Sequence, residues 1–236
     1  MKKKLIDILF KYKNAFTTDK EPLGTITGHE VEIILHVEKP YPPLLRRPAC
    51  PASPRSREAL EVHIKELMDV LVLRKVGNNE KVEVTTPVII TWNNGKSRMI
   101  GDFRALNTYT IPDRYPIPRI TETLTQLSQE KFIISMNAIK GFNQNFLTEN
   151  AKKLLRIIVH FGLCEYLRIP FGMKHAPSHY QRMMNPIFPE ELSERLFIIY
   201  IYDIIFCSET WESHIKRLER VLQKIVQVNM RISLKK

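Results

Sequence analysis

Leu196-Phe197-Ile198-Ile199-Tyr200-Ile201-Tyr202-Asp203-Ile204-Ile205-Phe206 decides the fold class of this chain. One apolar run leads in, another leads out, and Tyr200, Tyr202 and Asp203 lie between them. The pattern predicts a tight β-hairpin whose turn holds the polar residues. Asp203 is thereby presented at the tip rather than packed.

Working outward, residues 211–228 form a strongly periodic helix with Ile215, Leu218, Leu222 and Ile225 on one face, and a last strand is expected at 230–234. Upstream, a helix is expected from Ala176, with Tyr180, Met183, Met184 and Ile187 inward and Pro186 disturbing its end. Residues 154–169 read as a hairpin turning at His160–Leu163, and 131–136 as a buried-type strand that delivers Asn137. Prolines 112, 116 and 118 introduce a helix carrying Ile120, Leu124 and Leu127. A clear hairpin runs Val84–Trp92, turns at Asn93-Asn94-Gly95 and returns over Ser97–Phe103, because Asn and Gly tolerate the positive φ of such turns. A helix begins near Ser56 with Leu60, Ile64, Leu67 and Leu71 on one face. Residues 38–57 are proline-rich extended linker, 29–37 a strand and 5–16 a short amphipathic helix. The plan is α+β, with no internal repeat.

The 236 residues carry a net charge of +11 and a sequence pI near 9.6. That balance suits a phosphate-rich partner, although a merely soluble basic domain has it too. Cys50, Cys164 and Cys207 are odd in number and lack C-x-x-C spacing, which argues against a disulfide framework or zinc site and for a reducing compartment. No apolar run reaches the ~18 residues a membrane helix needs, so no membrane partner is expected. Asp7 and Lys11 interrupt what begins like a signal peptide. The expected location is intracellular, in a cytoplasmic particle or the nucleus.

Five ordered segments then carry a resemblance: Gly28-His29-Glu30-Val31; Arg98-Met99-Ile100-Gly101-Asp102-Phe103-Arg104-Ala105-Leu106-Asn107; Asp113-Arg114-Tyr115-Pro116-Ile117-Pro118-Arg119-Ile120; Pro170-Phe171-Gly172-Met173 with Ala176-Pro177 and Gln181-Arg182-Met183-Met184-Asn185; and Tyr200-Ile201-Tyr202-Asp203-Ile204-Ile205. From about Ile6 to Lys236 the chain resembles the reverse transcriptase of gypsy-class LTR retrotransposons. The resemblance implies a right-hand polymerase fragment of fingers and palm, with a mostly antiparallel palm sheet flanked by helices and the thumb absent. Its expected parts are a lead-in over 1–55, fingers with entry into the palm over 56–130, and palm over 131–236. Fingers residues are expected to interleave at 145–170, and the chain is expected to stop before the thumb.

The family's chemistry is two-metal nucleotidyl transfer by Mg²⁺ or Mn²⁺ on three palm carboxylates. Projected onto this chain those positions are Asn137, Tyr202 and Asp203, so Asp203 is the single retained metal ligand. Asn is neutral, and a tyrosine of pKa ~10 is protonated at pH 7. The resemblance further implies nucleotide contacts from Arg98, Lys96, Ala138, Phe142 as the aromatic gate under the sugar, Phe171 and Gly172. It implies template or primer contacts from Asp102, Arg104, Asn107, Gln181 and Tyr200. Arg98 and Lys96 also read as ordinary hairpin charges, Phe142 as a core aromatic, and Asp102 with Arg104 as a structural pair. Trp92 and Asn93 stand where the family carries lysines.

His175 and His179 are spaced four apart, but zinc would need a third ligand. Glu190, Glu191 and Glu194 read as a solvated face, as do Lys216, Arg217, Arg220 and Lys224. Implied partners are an RNA or DNA template-primer, dNTP, and a parent polyprotein with protease, RNase H and integrase regions. Three readings follow: a decayed polymerase with little activity, a binding module for RNA or an RNA–DNA hybrid, and a remnant without function.

Overall fold

A computed structural model describes residues 2–119, 131–194 and 196–233. In chain order the elements are α1 (Lys2–Lys11), β1 (Ile26–Val31), α2 (Pro54–Asp69), β2 (Leu73–Lys75), β3 (Thr86–Asn93), β4 (Lys96–Gly101), α3 (Arg104–Tyr109), β5 (Phe132–Ala138) and β6 (Asn145–Leu147). They continue with α4 (Glu149–Leu154), β7 (Arg156–Val159), β8 (Gly162–Tyr166), α5 (Ala176–Met184), α6 (Pro189–Ser193), β9 (Phe197–Tyr200), β10 (Asp203–Ser208), α7 (Trp211–Gln227) and β11 (Ile232–Ser233). The helix expected around Ile120, Leu124 and Leu127 lies outside the described residues.

The structure corrects several boundaries. The strand expected at 29–37 is β1, which ends at Val31; beyond it the chain keeps a single bridge, Leu35 to Thr110. Helix α2 starts earlier than Ser56, because Pro54 suits its first turn and the Ser53 hydroxyl accepts the Ser56 N–H. It also ends before Leu71. Leu71 takes φ 54° and the Val72 N–H returns to the Leu67 carbonyl, a left-handed helix stop that turns Leu71 out to solvent. Asn93 belongs to β3, leaving a two-residue Asn94-Gly95 turn with both φ positive. Leu154 ends α4, a short helix capped by Thr148 that hydrophobic period alone does not announce.

The described residues divide into two compact units. The first gathers residues up to His29, Asp113–Gln144 and those from Pro177 onward. Its sheet has the order β11-β5-β10-β9 and every pairing is antiparallel. Helix α7 buries Ile215, Leu218, Leu222 and Ile225, the stripe its period predicts, together with Val221, and Tyr180, Met183 and Met184 of α5 are buried as well. His214 sits among Phe132, Phe206 and Trp211, its Nδ1 3.2 Å from the Ser208 hydroxyl.

The second unit gathers Glu30–Pro112 and Asn145–Ala176. Its five-stranded sheet has the order β2-β8-β7-β3-β4, parallel only where Thr86 and Pro87 of β3 meet Ile157 and Ile158 of β7. Two arginines and two glutamates interlock on it. Arg156 holds Glu165 at 2.7 Å and Glu80 at 2.5 Å, while Arg74 holds Glu80 at 2.8 Å and Glu165 at 2.5 Å. The Arg74 hydrogen bond, then the Gly77 amide, hold Glu80 down at about 2.

Glu80 and His214 contribute to the acid response. Burial, then the Arg217 charge, keep His214 below 6.5, so its stabilising neutral state is complete above pH 6.5 and is lost as pH falls below it. Depressed Glu80 contributes above its ordinary 4.5 and loses that contribution as pH falls toward about 2. Melting midpoints from pH 8 to 3 should therefore stay level to about 6.5, fall gently, then steepen below about 4.5. His214→Gln should remove the first step alone.

Candidate functional site

Tyr200 pairs with Asp203, so the hairpin of β9 and β10 turns on Ile201 and Tyr202 alone. Ile201 has φ 50°, a region that costs a β-branched residue roughly 1–3 kcal/mol. A buried amide holds it there. Gln181, 1% exposed, accepts the Ile201 N–H at 3.2 Å. Its Nε2 donates to the Ile199 carbonyl at 3.0 Å and to Asn185 Oδ1 at 2.9 Å. Asn185 in turn donates to the Tyr115 hydroxyl at 2.7 Å. Gln181, placed on the template side by its motif, therefore has the hairpin turn as its partner here.

Beside the tip, Asp203 lies opposite Asn137 in the β10–β5 register, and the Asn137 Nδ2 donates to Asp203 Oδ1 at 3.0 Å. The Tyr202 carbonyl accepts the Ala138 N–H at 2.8 Å. Ala138 itself is buried in the sheet. The Tyr202 ring goes to Phe142 at 4.6 Å and Tyr180 at 5.4 Å, both edge-on. Gly141 makes room for it, since a Cβ there would stand 2.5 Å from Tyr202 Cδ1. Burial, then Tyr180, push the Tyr202 phenol well above the ordinary range, against a smaller lowering by the Phe142 backbone. It is neutral at pH 7.

This donor set does not fit a pair of divalent cations. Mg²⁺ takes hard, mostly anionic oxygens in near-octahedral array. Here one carboxylate remains, and an amide N–H points at it. Among the described residues, no three His, Cys, Asp or Glu side chains group to hold a metal ion.

Tyr180 lies fully buried on α5 and its hydroxyl makes no hydrogen bond among the described residues. A buried, unsatisfied hydroxyl costs roughly 1–3 kcal/mol. Tyr180→Phe should therefore raise the urea midpoint or leave it unchanged; a clear fall would show that the hydroxyl has a partner.

The other expected residues lie on the second unit. Lys96 and Arg98 stand exposed on β4, opposite Asn93 and Thr91. Trp92 lies under the Arg55 guanidinium at 4.2 Å, a cation–π contact where a lysine was expected. Asp102 is buried between Arg104 at 2.7 Å and Arg47 at 2.5 Å, which hold it well below the usual carboxylate range. Asn107 clamps a loop, donating to the Gly172 carbonyl at 2.9 Å and accepting the Lys174 N–H at 2.9 Å. Gly172 has φ 97°, and Phe171 beside it is 50% exposed. These clamp roles of Asn107 and Gln181 escape sequence reading; the one available signal for Gln181 is its i, i+3 spacing from buried Met184.

His179 pairs with Asp113 at 3.2 Å, and His175 is buried. The charges read as solvated faces are largely paired. Arg217 and Arg220 hold Glu194 at 2.5 and 2.8 Å, and Lys224 holds the fully buried Glu191 at 2.6 Å.

Residues 81–236 match the family described as reverse transcriptase (RNA-dependent DNA polymerase). The chain aligns over its full length, at 28% identity, with the retrovirus-related Pol polyprotein from transposon gypsy of Drosophila melanogaster, and covers 23% of it. Over 59% of the chain it is 39% identical to the retrovirus-related Pol polyprotein from transposon opus of the same organism, covering 14% of that protein. Its fold matches a foamy viral protease-reverse transcriptase solved in complex with RNA/DNA hybrid, with TM-score 0.86 at 20% identity, over 100% of this chain and 30% of that one. The chain thus spans about a quarter or less of these polyproteins.

Proposed function

The chain belongs to the reverse transcriptase (RNA-dependent DNA polymerase) family and has its fingers-and-palm fold, and from that premise we propose that it is a non-catalytic copy of the polymerase domain of a retrotransposon Pol polyprotein. The observation that carries this is the tip of the palm hairpin: Asp203 is left with an amide donor at Asn137 and a neutral, ring-packed phenol at Tyr202. Two negative charges are missing from the three carboxylate positions the family uses. A pair of unit charges ~4 Å apart is worth about 4 kcal/mol at an effective dielectric of ~20. Metal binding is weakened by several kcal/mol, and a barrier penalty of ~4 kcal/mol alone slows a reaction about a thousandfold.

What remains is a basic domain that takes an RNA or DNA template-primer without extending it. The net charge of +11 and the exposed Lys96, Arg98 and Arg104 support that reading. Arg98 offers a planar fork suited to phosphate and to stacking. The parent polyprotein would contribute protease, RNase H and integrase regions, in a cytoplasmic particle or the nucleus. No helix among the described residues is long and apolar enough to cross a membrane.

Primer extension on an RNA template with dNTP and Mg²⁺ or Mn²⁺ tests the catalytic half. No product above a protein-free control is expected, and robust incorporation overturns it. Filter binding of the same template-primer tests the other half: affinity should fall steeply between low and physiological salt. No binding at low salt would leave a remnant without function.

A further inference from the structure

Resting on the reading of this hairpin as a former nucleotidyl-transfer site, we propose that the Tyr202 ring seals the place a nucleoside triphosphate would take, so that the palm stays folded yet shut to nucleotide. Three rings close a triangle there. Tyr202 meets Phe142 at 4.6 Å and 61°, Tyr202 meets Tyr180 at 5.4 Å and 75°, and Phe142 meets Tyr180 at 5.8 Å and 69°. All three contacts are edge-to-face, the arrangement the ring quadrupole favours. The backbone of Gly141 forms the floor, too close to Tyr202 to admit even a methyl group.

Phe142 is the residue whose face the motif would offer to a sugar, and it is 7% exposed. A ring that is packed against two others and so little exposed offers almost no surface to a ligand. The site therefore departs from a working one in two separable ways. Asn137 withholds charge from Asp203, and Tyr202 fills space. Restoring the carboxylate at 137 corrects the first and leaves the second.

The test compares full chains carrying Asn137→Asp alone and Asn137→Asp with Tyr202→Ala. Equilibrium dialysis measures dTTP uptake in the presence of Mn²⁺, and thermal melts establish that each chain is folded. The single variant should show no saturable uptake in the range where the double variant binds at least about tenfold tighter. Equal affinity in the two, whether both bind or neither does, overturns the proposal. If the alanine chain does not melt cooperatively, Tyr202→Leu in the same background replaces it, and equal affinity again overturns the proposal. Failure of the decayed-polymerase reading appears differently, as primer extension by the unaltered chain. Failure of the seal alone appears as equal dTTP uptake without extension.

Discussion

Arg156→Met should lower stability by about 3–5 kcal/mol, the usual cost of stranding a buried charge. Arg156 is 2% exposed and Glu165 1% exposed, on neighbouring strands β7 and β8. Removing the guanidinium takes from Glu165 its 2.7 Å partner and from Glu80 its 2.5 Å partner, and frees the Lys81 carbonyl as well. Arg74 alone then faces two carboxylates. At roughly 2–4 °C per kcal/mol for a chain of this size, the melting midpoint should drop by ~10 °C. Pairing the change with Glu165→Leu should recover part of the loss, because Arg74 then faces Glu80 alone instead of two carboxylates. Urea denaturation at pH 7 measures both. A single-variant loss under ~1 kcal/mol would show that Arg74 by itself compensates both carboxylates.

Asn137→Asp together with Tyr202→Asp should raise primer extension about a thousandfold or more over the unaltered chain, the rate equivalent of ~4 kcal/mol of barrier. Position 137 lies opposite Asp203 in the β5–β10 register and position 202 precedes it in the chain, so each reversion restores an acid at a position the family uses. Either reversion alone should stay near background. Asp at 137 leaves the ring of Tyr202 over Phe142, and Asp at 202 leaves the Asn137 amide donating to Asp203. The recovery has a cost. Two edge-on ring contacts are lost at ~0.5–1.5 kcal/mol each, and a cavity opens over Gly141, so the double variant should melt several degrees lower. Steady-state incorporation and thermal melts on the same preparations check both. Unchanged extension in a folded double variant would mean that the defect lies elsewhere, for instance in the Trp92 and Asn93 strand.

The same hairpin shows how far the sequence can be read. Its existence and the meeting of positions 137 and 203 follow from a local pattern of apolar and polar residues together with the family resemblance, and the structure agrees; the turn itself is corrected, since Tyr200 and Asp203 pair as strand residues and leave Ile201 and Tyr202 at the tip. The stripe of α7 is legible because a period of 3.6 is written into neighbours a few positions apart. Leu71 misleads because a periodic residue and a helix stop look alike until the backbone of Leu71 takes its left-handed turn. The charges of α7 mislead because their partners, Glu191 and Glu194, lie more than twenty residues upstream.

By itself the sequence determined that this is an α+β chain with an apolar hairpin carrying Asp203, and its resemblance to the family implied a palm with one acid where three are expected. The first are statements about residue type and short spacing, which survive any packing. Tertiary structure alone decided that Gln181 braces the hairpin turn, that the Tyr202 ring turns onto Phe142 and Tyr180, and that Arg156 sits inside a ring of charge. Each of those depends on atoms brought within hydrogen-bond or ring-contact range from distant parts of the chain. Such short-range forces leave no periodic trace along the sequence, because only the folded backbone sets the distances on which they act.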